Sequence, residues 1–382
     1  MRIGLSTSVI GRGKTGIGQY VFALVRALLA QGSAHRFVLF VLEEDQPLFD
    51  FAKDRLELVT VPEEFRPAAK DILWHQTKLP HLTRTLGLDV LHVPSYRRML
   101  WRKPCPLVAT IHDLAPFRVR GKYDWKRMFY GKVVARQLAR RQDAIIAISE
   151  NTARDIRQFF SAPAARMTVI HNGIEHVRFC PGDTPTSKSV VAKRFNLTKP
   201  FFLYVARLEH PGKNHVRLIE AFTQFKSAVP SDWQLALAGS DWHGAEMIHA
   251  AIKASPAAAD IRALGFVGDP DLPELYRAAD GFVFPSLYEG FGLPPIEAMA
   301  CGCPVISSTR GSLGEVIGTA ALTIDPENVA DIAAKLGALA GDAAARTRLR
   351  VAGFDQARKF DWQNTARQTL EIYERVAKKP GG

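Results

Sequence analysis

Short apolar runs alternate with stretches of helical periodicity along almost the whole chain, and this alternation limits the possible folds most. In the first half, the runs typical of β-strands are residues 3–6, 37–42, 56–61, 90–93, 107–111, 144–148 and 167–170. Stretches with apolar residues at helical spacing, such as residues 20–29 and 151–160, lie between them. Strands that alternate with helices predict an α/β fold with a parallel, doubly wound sheet.

The alternation lapses once and then starts again, which predicts a second domain. Residues 173–189 are rich in proline, glycine and polar residues and are predicted to be a linker. After it, β-like runs occur at residues 201–205, 233–238, 261–266, 281–284 and 305–307, each followed by a helical stretch. We predict Rossmann-like domains at residues 1–180 and 190–360, with a C-terminal helix at 361–379. Open parallel sheets bind ligands beyond the carboxyl ends of their strands, so we expect the site in the cleft between the domains.

The bulk composition is that of a soluble globular enzyme. The chain has 382 residues, of which 47% are hydrophobic and 23% charged. It contains no apolar stretch of the roughly 18 residues that a membrane-spanning helix needs. Gly11, Arg12 and Lys14 interrupt the first apolar run, so a signal peptide is not expected and a cytoplasmic location is predicted. Cys301 and Cys303 are too close for a zinc pair and are expected to be buried.

Positive charge is concentrated in the first half. The net charge is +12, and residues 1–180 carry the whole excess, with 28 basic and 16 acidic residues. Residues 122–141 place apolar side chains at helical spacing among lysines and arginines, which fits either a helix on an anionic membrane or a core-facing helix with a solvated basic face. No recognition module for nucleic acid is visible, so we do not expect nucleic-acid binding.

Two loops carry residues suited to phosphate. Gly16 and Gly18 lie between the first strand and its helix, where glycine lets the backbone approach a phosphate, although a tight turn has the same pattern. Arg207 and Lys213 follow the first strand of the second domain. Two cations there suit a diphosphate, while the alternative is a solvated loop.

The segment from Phe284 to Ala300 is the most informative. A strand is followed by a glycine-bearing turn, and two prolines begin a helix. Glu289 lies on the turn and Glu297 on the helix, with seven residues between them. A carboxylate accepts hydrogen bonds from the vicinal hydroxyl groups of a ribose or a hexose. The backbone N–H groups at the helix start, those of Phe291, Gly292 and Leu293, can bind phosphate oxygens.

Taken together, these motifs resemble glycosyltransferase family 4, of GT-B fold, over essentially the whole chain. The resemblance rests on Glu289 with Glu297, Arg207 with Lys213 and Asn214, the Gly265-Phe266-Val267 segment and the Gly16-Ile17-Gly18 loop. The motifs around Lys213 and Glu289 are similar to bacterial O-antigen and exopolysaccharide mannosyltransferases. This implies a retaining transferase that moves a hexose, with GDP-mannose as the expected donor, onto a glycan or a polyprenyl-diphosphate-linked acceptor.

The resemblance also implies roles for individual residues and domains. The first domain would bind the acceptor, the second the nucleotide-sugar, and the C-terminal helix would cross back to the first. Glu289 would contact the donor sugar and Glu297 the ribose hydroxyl groups. The remaining implied contacts are Arg207 and Lys213 with the diphosphate, Phe266 and Val267 with the base, Gly16 and Gly18 with the phosphates, and His112 with the reacting sugar.

No metal site and no separate cofactor are expected. The sequence Asp269-Pro270-Asp271 matches a metal-binding pattern by letters but falls in a predicted turn. Arg207, Lys213 and helix N-termini would therefore neutralise the diphosphate. Three alternatives keep the GT-B fold: a transferase of glucose from a UDP-sugar, a nucleotide-sugar epimerase or hydrolase, and a sensor without catalysis.

Overall fold

The computed structural model describes residues 1–118 and 129–378. The chain divides into two compact units, one formed by Met1–Gly173 with Asp361–Gly382 and the other by Ile174–Phe360. Each unit is a parallel sheet with helices on its faces, as the alternating pattern predicts.

The first unit contains seven described strands. They are β1 (Arg2–Ser6), β2 (Arg36–Leu42), β3 (Leu56–Val61), β4 (Val90–Val93), β5 (Leu107–Ile111), β6 (Ala144–Ala147) and β7 (Met167–Val169). The helices between them are α1 (Gly16–Ala30), α2 (Ala68–Thr85), α3 (Ala115–Arg118), α4 (Arg136–Ala139) and α5 (Glu150–Asp155). A π-helical turn, Tyr130–Ala135, precedes α4, and a second, Ile156–Phe160, follows α5.

The strand order in this sheet is β3-β2-β1-β4-β5-β6-β7, and every pair is parallel. The central strands are buried along their whole length, as in β4 and β5, because helices cover both faces. The chain order reverses between β1 and β4, so the loops after these two strands diverge to opposite faces and leave a crevice at the carboxyl edge.

The second unit repeats this arrangement with six described strands. They are β8 (Phe201–Val205), β9 (Gln234–Ala238), β10 (Ile261–Gly265), β11 (Gly281–Phe284), β12 (Val305–Ser308) and β13 (Ala321–Ile324), in the order β10-β9-β8-β11-β12-β13. The helices are α6 (Thr184–Phe195), α7 (His215–Ala228), α8 (Ala245–Ala254), α9 (Leu272–Ala278), α10 (Leu293–Ala300), α11 (Leu313–Ile317), α12 (Val329–Gly341) and α13 (Ala343–Ala357). The order reverses between β8 and β11.

The C-terminal helix α14 (Trp362–Ala377) belongs to the first unit, which confirms the predicted return of the chain. Its apolar face joins the core that α1 covers. The Tyr373 hydroxyl lies 2.6 Å from Nδ1 of His92, and Nε2 of His92 lies 2.7 Å from the Thr110 hydroxyl. Burial lowers the pKa of His92 to about 3, so the imidazole is neutral and needs both partners.

We expect Tyr373→Phe to destabilise the first unit by about 1–3 kcal/mol, because it leaves a ring nitrogen of buried His92 without its partner. Thermal or urea unfolding measures the loss. Tyr130→Phe is the control, since that half-buried hydroxyl donates to the Arg97 carbonyl 2.9 Å away and water can replace it. Equal losses in the two variants would contradict this account of α14.

The structure differs from the sequence predictions at the junction of the units. The second unit begins at Ile174 rather than near residue 190, and residues 184–189 are the first turns of α6 instead of a linker. Asp183 caps this helix by accepting a hydrogen bond from the Thr186 N–H, and Pro185 occupies its first turn. The preceding segment is fixed by Arg277, which donates to the Cys180 carbonyl at 2.9 Å.

The edge strand β13 was not predicted, because it has only four residues and is flanked by glycine and polar residues.

The predicted amphipathic stretch 122–141 falls partly outside the described residues, which resume at Phe129. Within the described residues, Phe129 and Val133 are exposed. None of the described helices combines the length and the apolar character that crossing a membrane requires.

Candidate active site

The carboxyl edge of the second sheet brings Lys213 and Glu289 together. Lys213 lies in the loop after β8 and Glu289 in the loop after β11, the two strands at the point where the strand order reverses. The Nζ atom of Lys213 lies 2.7 Å from Oε1 of Glu289. The side chains are 21% and 15% exposed, so the charges are partly desolvated but reachable. The two residues predicted to bind diphosphate and sugar thus form one ion pair.

Backbone and side-chain hydrogen bonds hold the two loops against each other. The Tyr204 hydroxyl, on β8, donates to the Lys213 carbonyl at 2.6 Å. The Asn214 amide donates to the carbonyl groups of Pro285 and Pro326, at 3.0 and 2.6 Å. The Leu287 N–H donates to the Gly212 carbonyl, which ties the loops directly. Because Tyr204, Asn214 and Pro285 are buried, the position of the ion pair is fixed by the sheet.

A third loop, after β12, supports the backbone of Glu289. The N–H and the hydroxyl of Ser312 both donate to the Glu289 carbonyl, at 3.1 and 3.0 Å. Gly311 has φ +68°, and a Cβ atom there would lie 2.4 Å from the Glu289 carbonyl oxygen. Only glycine fits this close approach. Neither residue was predicted from the sequence, although a Gly-Ser pair in the loop that follows a predicted strand was an available signal.

Glu297 lies on α10 as predicted and is hydrogen-bonded to a residue that sequence analysis missed. The hydroxyl of Tyr276, on α9, donates to Oε2 of Glu297 at 2.9 Å. Burial raises the pKa of Glu297 to about 7, and the hydrogen bond from Tyr276 offsets only part of this effect. The carboxyl group therefore gains and loses a proton near neutral pH. Its other oxygen is available to a ligand hydroxyl group.

The start of α10 follows the predicted glycine–proline pattern. Gly292 is its N-cap with φ +102°, and prolines occupy the first turn that starts at Leu293. Phe291 is buried, and its carbonyl oxygen lies 2.8 Å from the Ser312 hydroxyl, whose one proton it shares with the Glu289 carbonyl. The positive helix end therefore follows directly on the loop that carries Glu289.

Arg207 and the segment after β10 are more exposed. The Arg207 guanidinium lies over the ring of Trp242, 4.7 Å from its centroid, and 3.3 Å from a Glu209 oxygen. It therefore does not share the Lys213–Glu289 contact. Phe266 is 79% exposed and Val267 is half-buried. Exposed aromatic rings such as Phe266 and Trp242 offer flat surfaces to a base. Trp242 was not predicted as a site residue.

In the first unit, Gly16 and Gly18 occupy the first turn of α1 and have different surroundings. The space around Gly16 is open. The Gly18 N–H donates to the hydroxyl of the N-cap Thr15 at 3.0 Å, and a Cβ atom on Gly18 would lie 2.7 Å from the Ile10 carbonyl oxygen. Gly18 is thus needed for close packing, and the open helix end is at Gly16.

His112 follows β5 in the first unit. Its ring meets Tyr20 edge to face with 4.6 Å between centroids. Burial lowers the pKa of His112 to about 4, so the imidazole is neutral. Among the described residues, Nε2 of His112 is buried without a hydrogen-bond partner, and the ring lines a cavity of about 530 Å³. A neutral imidazole nitrogen there can accept a hydrogen bond from a ligand hydroxyl group.

Both halves of the chain match models of known protein families. Residues 14–178 match the model described as Glycosyltransferase Family 4, and residues 186–356 match that described as Glycosyl transferases group 1. The chain is 31% identical to O-antigen chain mannosyltransferase B of Escherichia coli over 272 residues, 70% of each chain. It is 30% identical over 280 residues to the mannosyltransferase WbdA of Escherichia coli, but this match spans only 34% of that longer protein.

Other similar proteins carry different names. The chain is 32% identical over 274 residues to a glycogen synthase of Mycobacterium tuberculosis, covering 70% of this chain and 63% of that protein. Among solved structures, sucrose-phosphate synthase of Thermosynechococcus elongatus has a TM-score of 0.80 at 22% identity, with 98% and 99% of the two chains covered. Anabaena HepE in complex with UDP and glucose has a TM-score of 0.77 at 19% identity, with 98% and 100% covered. The chain therefore belongs to glycosyltransferase family 4 and has the GT-B fold.

Proposed function

We propose that this protein transfers mannose from GDP-mannose, with retention of anomeric configuration, to a glycan or polyprenyl-diphosphate-linked oligosaccharide in surface-polysaccharide synthesis. The observation that carries the proposal is the Lys213–Glu289 pair, 2.7 Å apart at the crevice of the second sheet. The pair places a cation that can bind the leaving diphosphate next to a carboxylate that can contact the sugar. The mannosyltransferase names of the relatives support the choice of sugar.

In the proposed reaction, Lys213 and Arg207 bind the diphosphate without a metal ion. The bond from the anomeric carbon to the diphosphate oxygen breaks while the acceptor oxygen bonds to the same face of that carbon. The acceptor proton passes to the leaving diphosphate. Glu289 stabilises the positive charge that develops on the sugar and forms no covalent bond. His112 accepts a hydrogen bond from a substrate hydroxyl group through its Nε2 atom.

The remaining predicted site residues bind the nucleotide part of the donor. Glu297 accepts hydrogen bonds from the ribose hydroxyl groups, and Phe266 with Val267 borders the base. The N–H groups at the start of α10, at Phe291, Gly292 and Leu293, bind phosphate oxygens, as does the open start of α1 at Gly16 and Gly18. No cofactor other than the donor is needed.

We expect nucleotide affinity to rise as the pH increases through about 7. The pKa of Glu297 is about 7 in the free protein, and a ribose-binding carboxylate must be ionised, so binding releases a proton. Calorimetric titration of GDP between pH 6 and 8 measures this, with Glu297→Gln as the comparison because phosphate also titrates near pH 6. The variant should bind more weakly at pH 8 and lose most of the pH dependence. An unchanged profile in Glu297→Gln would contradict the ribose contact.

A transfer assay compares the donors. We expect GDP release from GDP-mannose, coupled to extension of a lipid-linked oligosaccharide, in the presence of EDTA. Faster transfer from UDP-glucose would favour the glucosyltransferase alternative, which the glycogen synthase relative supports. Turnover of the donor without acceptor would favour an epimerase or a hydrolase. Loss of transfer in EDTA would exclude the metal-independent mechanism.

The basic first unit is proposed to associate with the anionic inner face of the cytoplasmic membrane, where a lipid-linked acceptor resides. Phe129 and Val133, one helical turn apart, are 59% and 47% exposed beside exposed Lys132 and Arg136. Sedimentation with vesicles should show binding to anionic lipid that weakens in salt and in Phe129→Ser/Val133→Ser. Equal failure to bind anionic and neutral vesicles would contradict this proposal.

A further inference from the structure

The first unit contains its own ligand cavity at the crevice of its sheet. The cavity has a volume of about 530 Å³ and is formed by the loops after β1, β4 and β5 with residues near the starts of α1 and α2. Its polar lining includes Ser8, Arg12, Asp71, Ser95, Arg98 and His112. A hexose bearing a charged substituent fits within this volume.

Arg98 is held in place by an ion pair inside the cavity and still has N–H groups that can bind a ligand. Its Nε donates to Oδ2 of Asp71 at 2.6 Å, and its side chain is only 11% exposed. This contact occupies one edge of the guanidinium. The two terminal nitrogens carry further N–H donors, which suit the two oxygens of a phosphate or a carboxylate.

A buried chain of side chains fixes Asp71 in turn. Nδ1 of His75 lies 2.8 Å from the backbone carbonyl oxygen of Asp71 and 3.1 Å from its Oδ1 atom, and Nε2 of His75 lies 2.8 Å from the Ser6 hydroxyl. Ser6, His75 and Asp71 are each at most 2% exposed. Although burial raises the pKa of Asp71, His75 and Arg98 lower it by more, and the carboxylate stays ionised. The chain therefore acts as a support that orients Arg98.

The other charged groups of the cavity already have partners. Arg97 lies over the Tyr96 ring, and its Nε donates to the Tyr96 hydroxyl at 3.2 Å. Asp113 accepts a hydrogen bond from the Ala115 N–H at 3.0 Å, and Arg66 is held by both oxygens of Asp45 at 3.1 and 3.2 Å. Arg12 is 60% exposed and pairs with Glu44 at 2.6 Å. His112 offers its unpartnered Nε2 atom, which accepts a hydrogen bond. The cavity thus combines a cationic donor with a neutral acceptor.

We propose that this cavity is the acceptor site and that the acceptor is a sugar bearing an oxyanion, bound by Arg98, with a hydroxyl group bound by His112. The oxyanion is either a phosphate ester or the carboxylate of a uronic acid, since a guanidinium binds both. The role as acceptor site rests on the proposed glycosyltransferase function, whereas oxyanion binding stands on the cavity itself.

The experiment uses the full chain saturated with the nucleotide that it binds, so that the second unit does not take up the probes. Glucose 6-phosphate, glucuronate and glucose, which share one ring and differ in charge, are titrated by calorimetry. We expect one or both anions to bind at least about tenfold more tightly than glucose. The anion that binds more tightly identifies the source of the charge.

Variants of Arg98 test the assignment. Arg98→Lys and the paired Asp71→Asn/Arg98→Gln, which removes both buried charges together, should each weaken anion binding about ten- to a hundredfold. Arg12→Gln, which removes a positive charge at the exposed rim, should leave anion binding within about twofold of the wild type. Nucleotide binding reports that the second unit is folded, and a cooperative thermal unfolding transition like that of the wild type reports that the first unit is folded.

The outcomes separate this inference from the function on which it rests. Equal binding of all three probes, binding of none, or wild-type binding in the Arg98 variants would overturn the oxyanion site even if nucleotide binds. Anion binding that depends on Arg98 in a protein that binds no nucleotide would overturn the role as acceptor site.

Discussion

Replacing Glu289 with alanine should lower the rate constant of sugar transfer by at least about a hundredfold, the usual effect of removing one preorganised electrostatic contact. The carboxylate lies 2.7 Å from Lys213 and is 15% exposed, so it acts with little screening by water. The variant frees Lys213 to bind the diphosphate, and the KM for the donor should stay the same or fall. Steady-state kinetics with varied donor concentration measures both constants.

Lys213→Ala should have a different signature. It removes the cation that the diphosphate needs and leaves Glu289 facing a dianionic group, so both donor affinity and turnover should fall. The double variant should lose less than the sum of the single losses, because the two side chains act as a pair. Wild-type rates in both single variants would disprove the assignment of this site.

Lys226 and Asp260 provide a matched control in the same unit. They form an ion pair of 2.8 Å with 15% and 22% exposure, near the C-terminus of α7 and hence at the amino ends of the strands. Lys226→Ala breaks a pair of similar length and burial, together with hydrogen bonds to the Ser231 and Trp233 carbonyl groups, and should reduce stability without a specific loss of transfer. A comparable loss of transfer in this variant would mean that the Lys213 result reports general damage.

Gly311→Ala should both destabilise the second unit and impair transfer. A left-handed φ of +68° costs a residue with a Cβ atom roughly 1–2 kcal/mol, and this Cβ would also lie 2.4 Å from the carbonyl oxygen of Glu289. Relief of the clash must move the Glu289 backbone or the Gly311 loop. We expect the melting temperature to fall by about 5 °C or more, and the rate to fall with it.

Gly341→Ala is the control for this variant. Gly341 ends α12, where the structure leaves open space around the position of a Cβ atom. Alanine there should leave stability and transfer close to those of the wild type. If Gly311→Ala melts and reacts like Gly341→Ala, the loop after β12 does not position Glu289.

The sequence was enough to predict the sheets and the residue types of the site. Short apolar runs between helical stretches predict every described strand of both units except β13, because a parallel sheet is buried on both faces. Glu289 and Lys213 were identified from chemistry suited to a sugar and a diphosphate. Their direct contact was not predictable, since they are 76 residues apart and meet only because β11 returns beside β8.

The hydrogen-bond partners of the site residues were not predictable either, because they too are distant in the sequence. The sequence pattern of α9 does not mark Tyr276 as a site residue. Its hydroxyl contacts Glu297 only because α9 packs beside α10. The support of Arg98 by Asp71, His75 and Ser6 joins α2 to the end of β1, which local periodicity does not show. Residues 184–189 were assigned to a linker because polar composition outweighed the capping signal of Asp183.

Thermal unfolding with nucleotides tests most directly whether the second unit binds a nucleotide diphosphate without a metal ion. The full chain is melted with GDP, UDP or ADP and their sugars, with and without EDTA, because a ligand that binds only the folded state raises the midpoint. We predict selective stabilisation by GDP and GDP-mannose that EDTA leaves unchanged and Lys213→Ala removes. No shift with any nucleotide well above plausible affinities, or a shift that EDTA abolishes, would contradict the account.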